Sequence, residues 1–214
     1  ALNRGPWRGK ERIGIVGLLC RVLALARMKV SKLEKRTPID RVDLVIGLFC
    51  TWALDYRPFT AFLKERVNGL PIKKLNITPP PERILEVTAG NKLVRIPVDD
   101  IRPFIRPSCR VCLDMTAELS DLSVGTVEGK EGWNTVIVRT AMGENLLRRA
   151  KKAGIIETKS LPKDNLKHLI EASLLKKRRA LDALKERGGI EKGYLNLSAD
   201  LVKRIVSASE EAKP

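Results

Sequence analysis

The chain has 214 residues, a formal net charge of +16 and a hydrophobic fraction of 43%. This length and apolar content allow one large domain, or one domain with appendages, and argue against a disordered chain. No apolar run approaches the roughly 18 residues of a membrane-spanning helix, so we expect no membrane span. The first residues are basic but lack the apolar core of a signal peptide. We therefore expect a reducing compartment, the cytoplasm, in which thiols persist.

The excess of positive charge suggests an anionic partner. Aromatic residues make up only 4% of the chain, and no helix-turn-helix, zinc-finger or aromatic RNA-binding pattern stands out, so we expect no nucleic acid partner. The densest basic run, residues 174–189, is either a solvated helix face or a surface for an anionic cofactor or an acidic partner subunit. A single histidine, His168, excludes a His-rich metal site, and no G-x-S-x-G motif accompanies it.

Two similar units open the chain. The apolar run RIGIVGLL, Arg12–Leu19, predicts a buried strand, which Cys20 follows directly. After Cys20, apolar residues at helical spacing, as far as Leu33, predict a helix. The run RVDLVIGLF, Arg41–Phe49, predicts a second strand, followed by Cys50 and a helix near 56–67. Two successive strand–Cys–helix units predict a parallel βαβ arrangement. Ligands in such sheets bind beyond the carboxyl ends of the strands, where both cysteines lie.

The pattern then changes at a proline cluster, 79–81, and two β-rich runs, 83–88 and 93–98, predict a β-hairpin. The segment RPFIRPSCRVCLD forms a proline-broken loop. We predict strands near 121–127 and 134–139, then helices at 143–153 and 163–187 and a last helix capped by Ser198. The fold class is mixed α/β, with a hairpin insertion and a C-terminal helical segment, and the expected domains are residues 1–160 and 161–214.

The loop carries Cys109 and Cys112 as a C-x-x-C motif, which lets two thiolates converge on one metal or cluster. Cys20 and Cys50 are a second, dispersed pair. Dispersed ligands suit a 4Fe–4S cluster, which needs one thiolate per iron. From the residues alone, zinc, a redox dithiol and unrelated buried cysteines remain open as alternatives.

The stretches around the cysteines resemble a known family. These are GIVGLLCRVLAL, VIGLFCTWALDY and CRVCLDMTAELSDLSVGTVEGKEGWNTVIVRT. They are similar, in order over roughly residues 10–160, to the C-terminal region of the beta subunits of F420-reducing hydrogenase and F420-linked formate dehydrogenase. The last motif, C-x-x-C-x-D followed by GW and VRT, is the most specific.

The resemblance implies a redox subunit with FAD and a 4Fe–4S cluster on Cys20, Cys50, Cys109 and Cys112. A hydride would pass between coenzyme F420 and FAD, and single electrons would reach other subunits of a hydrogenase, formate dehydrogenase or heterodisulfide-reductase-like complex. No side chain is expected to act as a catalytic acid or base. The flavin-proximal positions implied are Ser123, Gly125, Gly132, Trp133, Asn134, Thr135 and Arg139. Arg139 would either meet a phosphate or fix the loop. The structural alternatives for these residue types are a turn glycine, a core tryptophan and an arginine in a salt bridge.

This sequence departs from the family pattern at Arg21, where the family usually has Gln, and at 51–54. The family's N-terminal flavin half has no counterpart in it, so we expect either a separate subunit or a longer natural chain to supply that half. Two further interpretations remain: a cluster subunit without flavin, and a zinc-stabilised basic module that binds nucleic acid.

Overall fold

The computed structural model describes residues 11–31, 38–78, 82–193 and 195–211. The basic start of the chain, the predicted helical position Leu33 and the proline cluster at 79–81 lie outside these ranges. The chain divides into two compact units, the first made of residues 1–51 with 112–214 and the second of residues 52–111. The predicted boundary at residue 160 is not a boundary of either unit.

The described elements follow the chain in order. The strands are β1 (Ile13–Leu18), β2 (Val42–Leu48), β3 (Ile72–Ile77), β4 (Ile84–Ala89), β5 (Lys92–Pro97), β6 (Leu122–Thr126) and β7 (Asn134–Val138). The helices are α1 (Leu19–Val30), α2 (Tyr56–Arg66), α3 (Val98–Ile101), α4 (Pro107–Arg110), α5 (Ala141–Lys152), α6 (Lys163–Glu186) and α7 (Ala199–Glu211).

The sheet of the first unit has the strand order β1-β2-β6-β7. β1 pairs with β2 in parallel and β2 pairs with β6 in parallel, whereas β6 and β7 form an antiparallel pair. The pairing places Leu18 beside Leu48 and Leu48 beside Val124, so the three parallel strands end at one edge. The predicted parallel arrangement of the two strand–Cys–helix units is therefore confirmed.

The apolar residues of the first two strands and of α1 form one core. Val22 is 1% exposed and Ile39 is fully buried, and both pack with Val42 and Val45 of β2. Because α1 begins at Leu19, Cys20 lies in the first turn of the helix rather than before it. The packing of Leu19 and Val22 in this core thus holds the first turn of α1, which contains Cys20, against the sheet.

The C-terminal helices belong to the first unit because they share a core with the segment after the C-x-x-C motif. Leu113 packs with Ala180 and Leu181 of α6 and with Ile205 of α7. After α6, Gly188 and Gly189 adopt φ values of 102° and 134°, which glycine tolerates and other residues rarely adopt. The Gly-Gly pair therefore ends α6, and Ser198 caps α7, as predicted, through a hydrogen bond from the N–H of Leu201.

The second unit contains an antiparallel sheet of order β3-β4-β5, and the predicted hairpin is its β4–β5 pair. Leu63 of α2 and Val67 pack on the inner face of this sheet against Val87 and Ile96. The sequence did not predict β3, whose six residues are all exposed and show no apolar alternation. Among the described helices, none is both long and apolar enough to cross a bilayer.

Candidate functional site

Cys20 and Cys50 lie at the same edge of the sheet in the first unit. Each follows its strand by two residues, after the paired positions Leu18 and Leu48. Cys20 is exposed and Cys50 is half-buried. The Cys50 N–H donates to the carbonyl oxygen of Met115 at 3.0 Å, which ties this cysteine to the segment that follows Cys112.

Cys112 is 7% exposed and belongs to the same core cluster as Cys50. Its thiol donates to the carbonyl oxygen of Asp114 at 3.6 Å. The Asp114 carboxylate accepts hydrogen bonds from the N–H groups of Thr116 and Glu118, at 2.9 and 3.0 Å. Burial raises the pKa of Asp114, and these N–H bonds oppose the rise. The aspartate of the C-x-x-C-x-D motif therefore closes the turn that presents Cys112.

Cys109 belongs to the second unit and lies in the short helix α4, where the sequence predicted a loop. Its Sγ accepts a hydrogen bond from the backbone N–H of Ala53 at 3.4 Å. This bond fixes the position of the Cys109 sulfur against the backbone of the segment that follows Cys50. It is also one of the contacts that set the properties of iron–sulfur clusters.

The donor set fits a thiolate-ligated group by its chemistry. All four cysteines are present as thiols, with no disulfide between them. In the described part of the chain, no three Cys, His, Asp or Glu side chains are grouped closely enough to hold one metal ion. The four cysteines therefore match a 4Fe–4S cluster in the type and number of their donor atoms and not in their spacing. Their assignment as its ligands stays a prediction.

The residues predicted near a flavin lie on β6, on β7, in the loop between them and immediately after β7. Ser123 is fully buried and its hydroxyl accepts a hydrogen bond from Arg139 Nη1 at 2.6 Å. Arg139 Nη2 also donates to Oγ1 and the carbonyl oxygen of Thr116, at 2.9 and 3.2 Å. Burial lowers the pKa of Arg139, and the carboxylates of Asp114 and Glu118 act against that change. Arg139 thus fixes the loop after Cys112, as one of its two sequence interpretations predicts.

Gly125 allows close approach, but to a side chain of the protein itself. A Cβ at this position would lie 1.8 Å from the ring of Phe49, the residue before Cys50. Gly132 has a φ of 79° and open space around it, which fits the turn between β6 and β7. As flavin contacts, both positions stay predictions.

The remaining predicted residues share cavities. Trp133, Asn134 and Thr135 line a cavity of about 480 Å³, and Gly132 joins Trp133 and Asn134 along another of about 650 Å³. The ammonium of Lys159 lies 4.5 Å from the centre of the Trp133 ring. An aromatic ring beside an open cavity can stack on a flat cofactor.

A smaller cavity of about 250 Å³ lies beside Cys50 and is lined in part by Thr135 and His168. His168 Nδ1 lies 3.6 Å from the carboxylate of Glu128. From the sequence, His168 is assigned only to a helix. A lone histidine gives no pattern from which its place beside Cys50 could be predicted.

Lys176 was also missed, although a signal for it exists. Its side chain is 4% exposed and its Nζ donates to the carbonyl oxygen of Cys50 at 2.6 Å. Along α6 it precedes the buried residues Ala180 and Leu184 by four and eight positions, so it interrupts an apolar stripe. The next residue, Lys177, donates to the carbonyl oxygen of Leu113 at 3.3 Å and pairs with Glu118.

Comparison with known proteins places these features in a family. A family model for the C-terminal part of the beta subunit of coenzyme F420 hydrogenase/dehydrogenase matches residues 10–164, a range that contains all four cysteines. A relative named coenzyme F420 hydrogenase subunit beta, from Methanosarcina barkeri, is 26% identical and covers 88% of this chain. The protein of the same name from Methanothermobacter thermautotrophicus is 29% identical and covers 84%.

The chain spans 66% of the length of each of these two relatives. A chain in a solved structure of the F420-reducing NiFe hydrogenase complex from Methanosarcina barkeri superposes with a TM-score of 0.74 at 27% identity. That superposition covers 87% of this chain and 65% of the other. Since the family match covers well over half of its residues, the chain belongs to the coenzyme F420 hydrogenase/dehydrogenase beta subunit family.

Proposed function

We propose that this chain is an oxidoreductase subunit that connects coenzyme F420 to partner subunits of a hydrogenase, formate dehydrogenase or similar complex. It would do so through FAD and a 4Fe–4S cluster. The observation that carries the proposal is the placement of Cys20 and Cys50 at the carboxyl ends of neighbouring parallel strands. That edge is where open parallel sheets bind ligands.

Cys20, Cys50, Cys109 and Cys112 would each hold one iron. Cys112 lies in the core, whereas Cys20 is exposed. The ligand set would therefore have a protected side, which excludes water, and an open side, which is accessible to a partner protein. The N–H of Ala53 bonds the sulfur of Cys109, a contact of the kind that tunes the properties of a bound cluster.

Gly132, Trp133, Asn134 and Thr135 would hold the flavin ring, since they line the two larger cavities. When bound, FAD would exchange a hydride with F420, and the cluster would carry the electrons singly to the partner. The chain's own residues position and shield these groups. The net charge of +16 supports the binding of anionic cofactors and substrates or an acidic partner. The proposal places the complex in the cytoplasm, where thiols persist.

A second candidate is a cluster subunit without a flavin of its own. Three of the predicted flavin residues make contacts inside the protein instead. Ser123 is buried against Arg139, and Gly125 lies against Phe49. These contacts favour a structural role for them, and they leave the flavin assignment to the cavity around Trp133.

Anaerobic purification of the full chain tests the proposal. We expect a brown protein with a broad absorbance shoulder that dithionite bleaches, and an electron paramagnetic resonance signal from the reduced cluster. Cys112→Ser should abolish that signal, whereas Ser108→Ala, an exposed change close to the same motif, should retain it. Flavin released by acid treatment would favour the first candidate, and an intact cluster signal without flavin would favour the second. Protein that stays colourless after anaerobic reconstitution would contradict both.

A further inference from the structure

Helix α6 reaches the segments that carry two of the predicted cluster ligands. Lys176 donates to the carbonyl oxygen of Cys50, and Lys177 donates to the carbonyl oxygen of Leu113, the neighbour of Cys112. Both lysines lie beyond residue 164, where the family match ends. These contacts therefore come from a part of the chain that the family pattern does not describe.

The two lysines differ in how their charge is balanced. Lys177 forms an ion pair with Glu118, and its side chain is 19% exposed. Lys176 is buried at 4% exposure, and its Nζ donates to a neutral carbonyl oxygen. Burying an ammonium group is costly unless hydrogen bonds and negative charge compensate it. A carbonyl oxygen provides a hydrogen bond but no net charge.

An iron–sulfur cluster on thiolates would provide that charge. We propose that Lys176 is a positioning residue of the cluster site, which orients Cys50 and stabilises the reduced, more negative form of the cluster. This inference rests on the proposed function. Reduction adds one electron to the site, which the flavin of the proposed function would supply. Net charge and neighbouring hydrogen bonds are among the factors that set the potential of such clusters.

The test compares reconstituted full-length variants in a redox titration followed by electron paramagnetic resonance. Lys176→Met removes the charge and keeps the length of the side chain. At a fixed ambient potential, we expect its ratio of reduced to oxidised cluster to fall about tenfold, a shift of about 59 mV for a one-electron couple. Lys176→Arg, which retains the charge, should stay within about twofold of the wild type.

Lys185→Met is the matched control, because it makes the same change of charge at an exposed position of the same helix. Its ratio should equal that of the wild type. Lys177→Met should have a smaller effect than Lys176→Met, because Glu118 already pairs with the charge of Lys177. Equal shifts in all three variants would point to net charge alone and would overturn the role of Lys176.

Iron and sulfide content, measured on every sample, separates the role of Lys176 from the presence of the cluster. A wild type with a full cluster and an unchanged ratio in Lys176→Met would overturn the inference and leave the proposed function standing. A wild type without iron and sulfide would overturn both. If Lys176→Met loses iron, Lys176→Gln takes its place, and an unchanged ratio in that variant would overturn the inference. A lowered melting temperature with an unchanged ratio would mean a structural role only.

Discussion

The guanidinium of Arg139 donates to the hydroxyl of Ser123 at a distance of 2.6 Å, which links the residue after β7 to β6. The same guanidinium also bonds Thr116, which follows the Cys112 turn. Ser123 is fully buried. Arg139 thus joins the segment that follows Cys112 to the β6–β7 pair, and we expect the stability of the first unit to depend on this junction.

Replacing Arg139 by Ala should lower the free energy of unfolding by about 1–3 kcal/mol, because the buried oxygens of Ser123 and Thr116 lose their donor. Urea unfolding of the purified chain measures the change. Arg149→Ala, at an exposed position of α5, is the control and should alter stability by less than about 0.5 kcal/mol. Equal losses in the two variants would contradict the junction.

Gly125→Ala should also destabilise the first unit, by about 1–3 kcal/mol, because the new methyl group would overlap the ring of Phe49. Gly14→Ala, in β1 of the same sheet, is the control, since its Cβ would have its nearest neighbour at 3.8 Å. A double-mutant cycle with Phe49→Leu should recover part of the loss at Gly125. A Gly125→Ala variant as stable as the wild type would contradict the close packing of the Phe49 ring against Gly125 of β6.

Much of this site follows from periodicity. The two successive strand–Cys–helix units predict parallel strands, and the pairing of β1 with β2 agrees. The buried strand predicted at 12–19 is buried only in part, because Val16 of β1 is 58% exposed. The helix that follows the second run also begins where its pattern indicates, at Tyr56. The spacing of apolar residues was enough to predict these elements, because each of them buries one face.

Other features were beyond the sequence because they depend on tertiary contacts. β3 has no buried face, so it shows no alternation and its pairing with β4 is its only signal. The boundaries of the two units, after residues 51 and 111, depend on which residues pack together in the fold. The amino-acid composition does not change at those positions, so it gives no signal for them. The spacing of Lys176 to Ala180 and Leu184 places it on the buried stripe of α6, but only the packing of that helix shows its contact with Cys50.

Glu86 gives the second unit a pH-dependent contribution. Hydrogen bonds from Arg95, and then from Asn76, lower the pKa of Glu86 below its ordinary value of 4.5. Because the pKa of Glu86 is lower in the folded state than in the unfolded state, its ionised form stabilises the unit at pH values above the unfolded-state pKa. This contribution is lost as the pH falls through the folded-state pKa. Glu86→Gln should therefore be less stable than the wild type at pH 7, and the difference should disappear in acid.

Urea unfolding at pH 7 and at an acidic pH below the pKa of Glu86 measures this difference in stability. Glu65→Gln, at an exposed position of α2, is the control. A difference between Glu86→Gln and the wild type that stays constant with pH would contradict the role of the ion pair with Arg95.

Trp133→Leu should lower the amount of flavin retained after gel filtration about tenfold, because a stacking surface is lost from the cavity it lines. Iron content should stay unchanged, since the cavities that Trp133 lines include none of the four predicted ligands. Tyr56→Leu removes an exposed aromatic ring of the second unit and should retain flavin. Unchanged flavin in Trp133→Leu would remove this residue from the flavin site.

The central claim is that four cysteines hold an iron–sulfur cluster, and metal analysis of the anaerobically reconstituted chain tests it most directly. The account predicts about four iron and four acid-labile sulfide per chain, and loss of both in Cys50→Ser and Cys112→Ser. One zinc per chain with neither iron nor labile sulfide would contradict it.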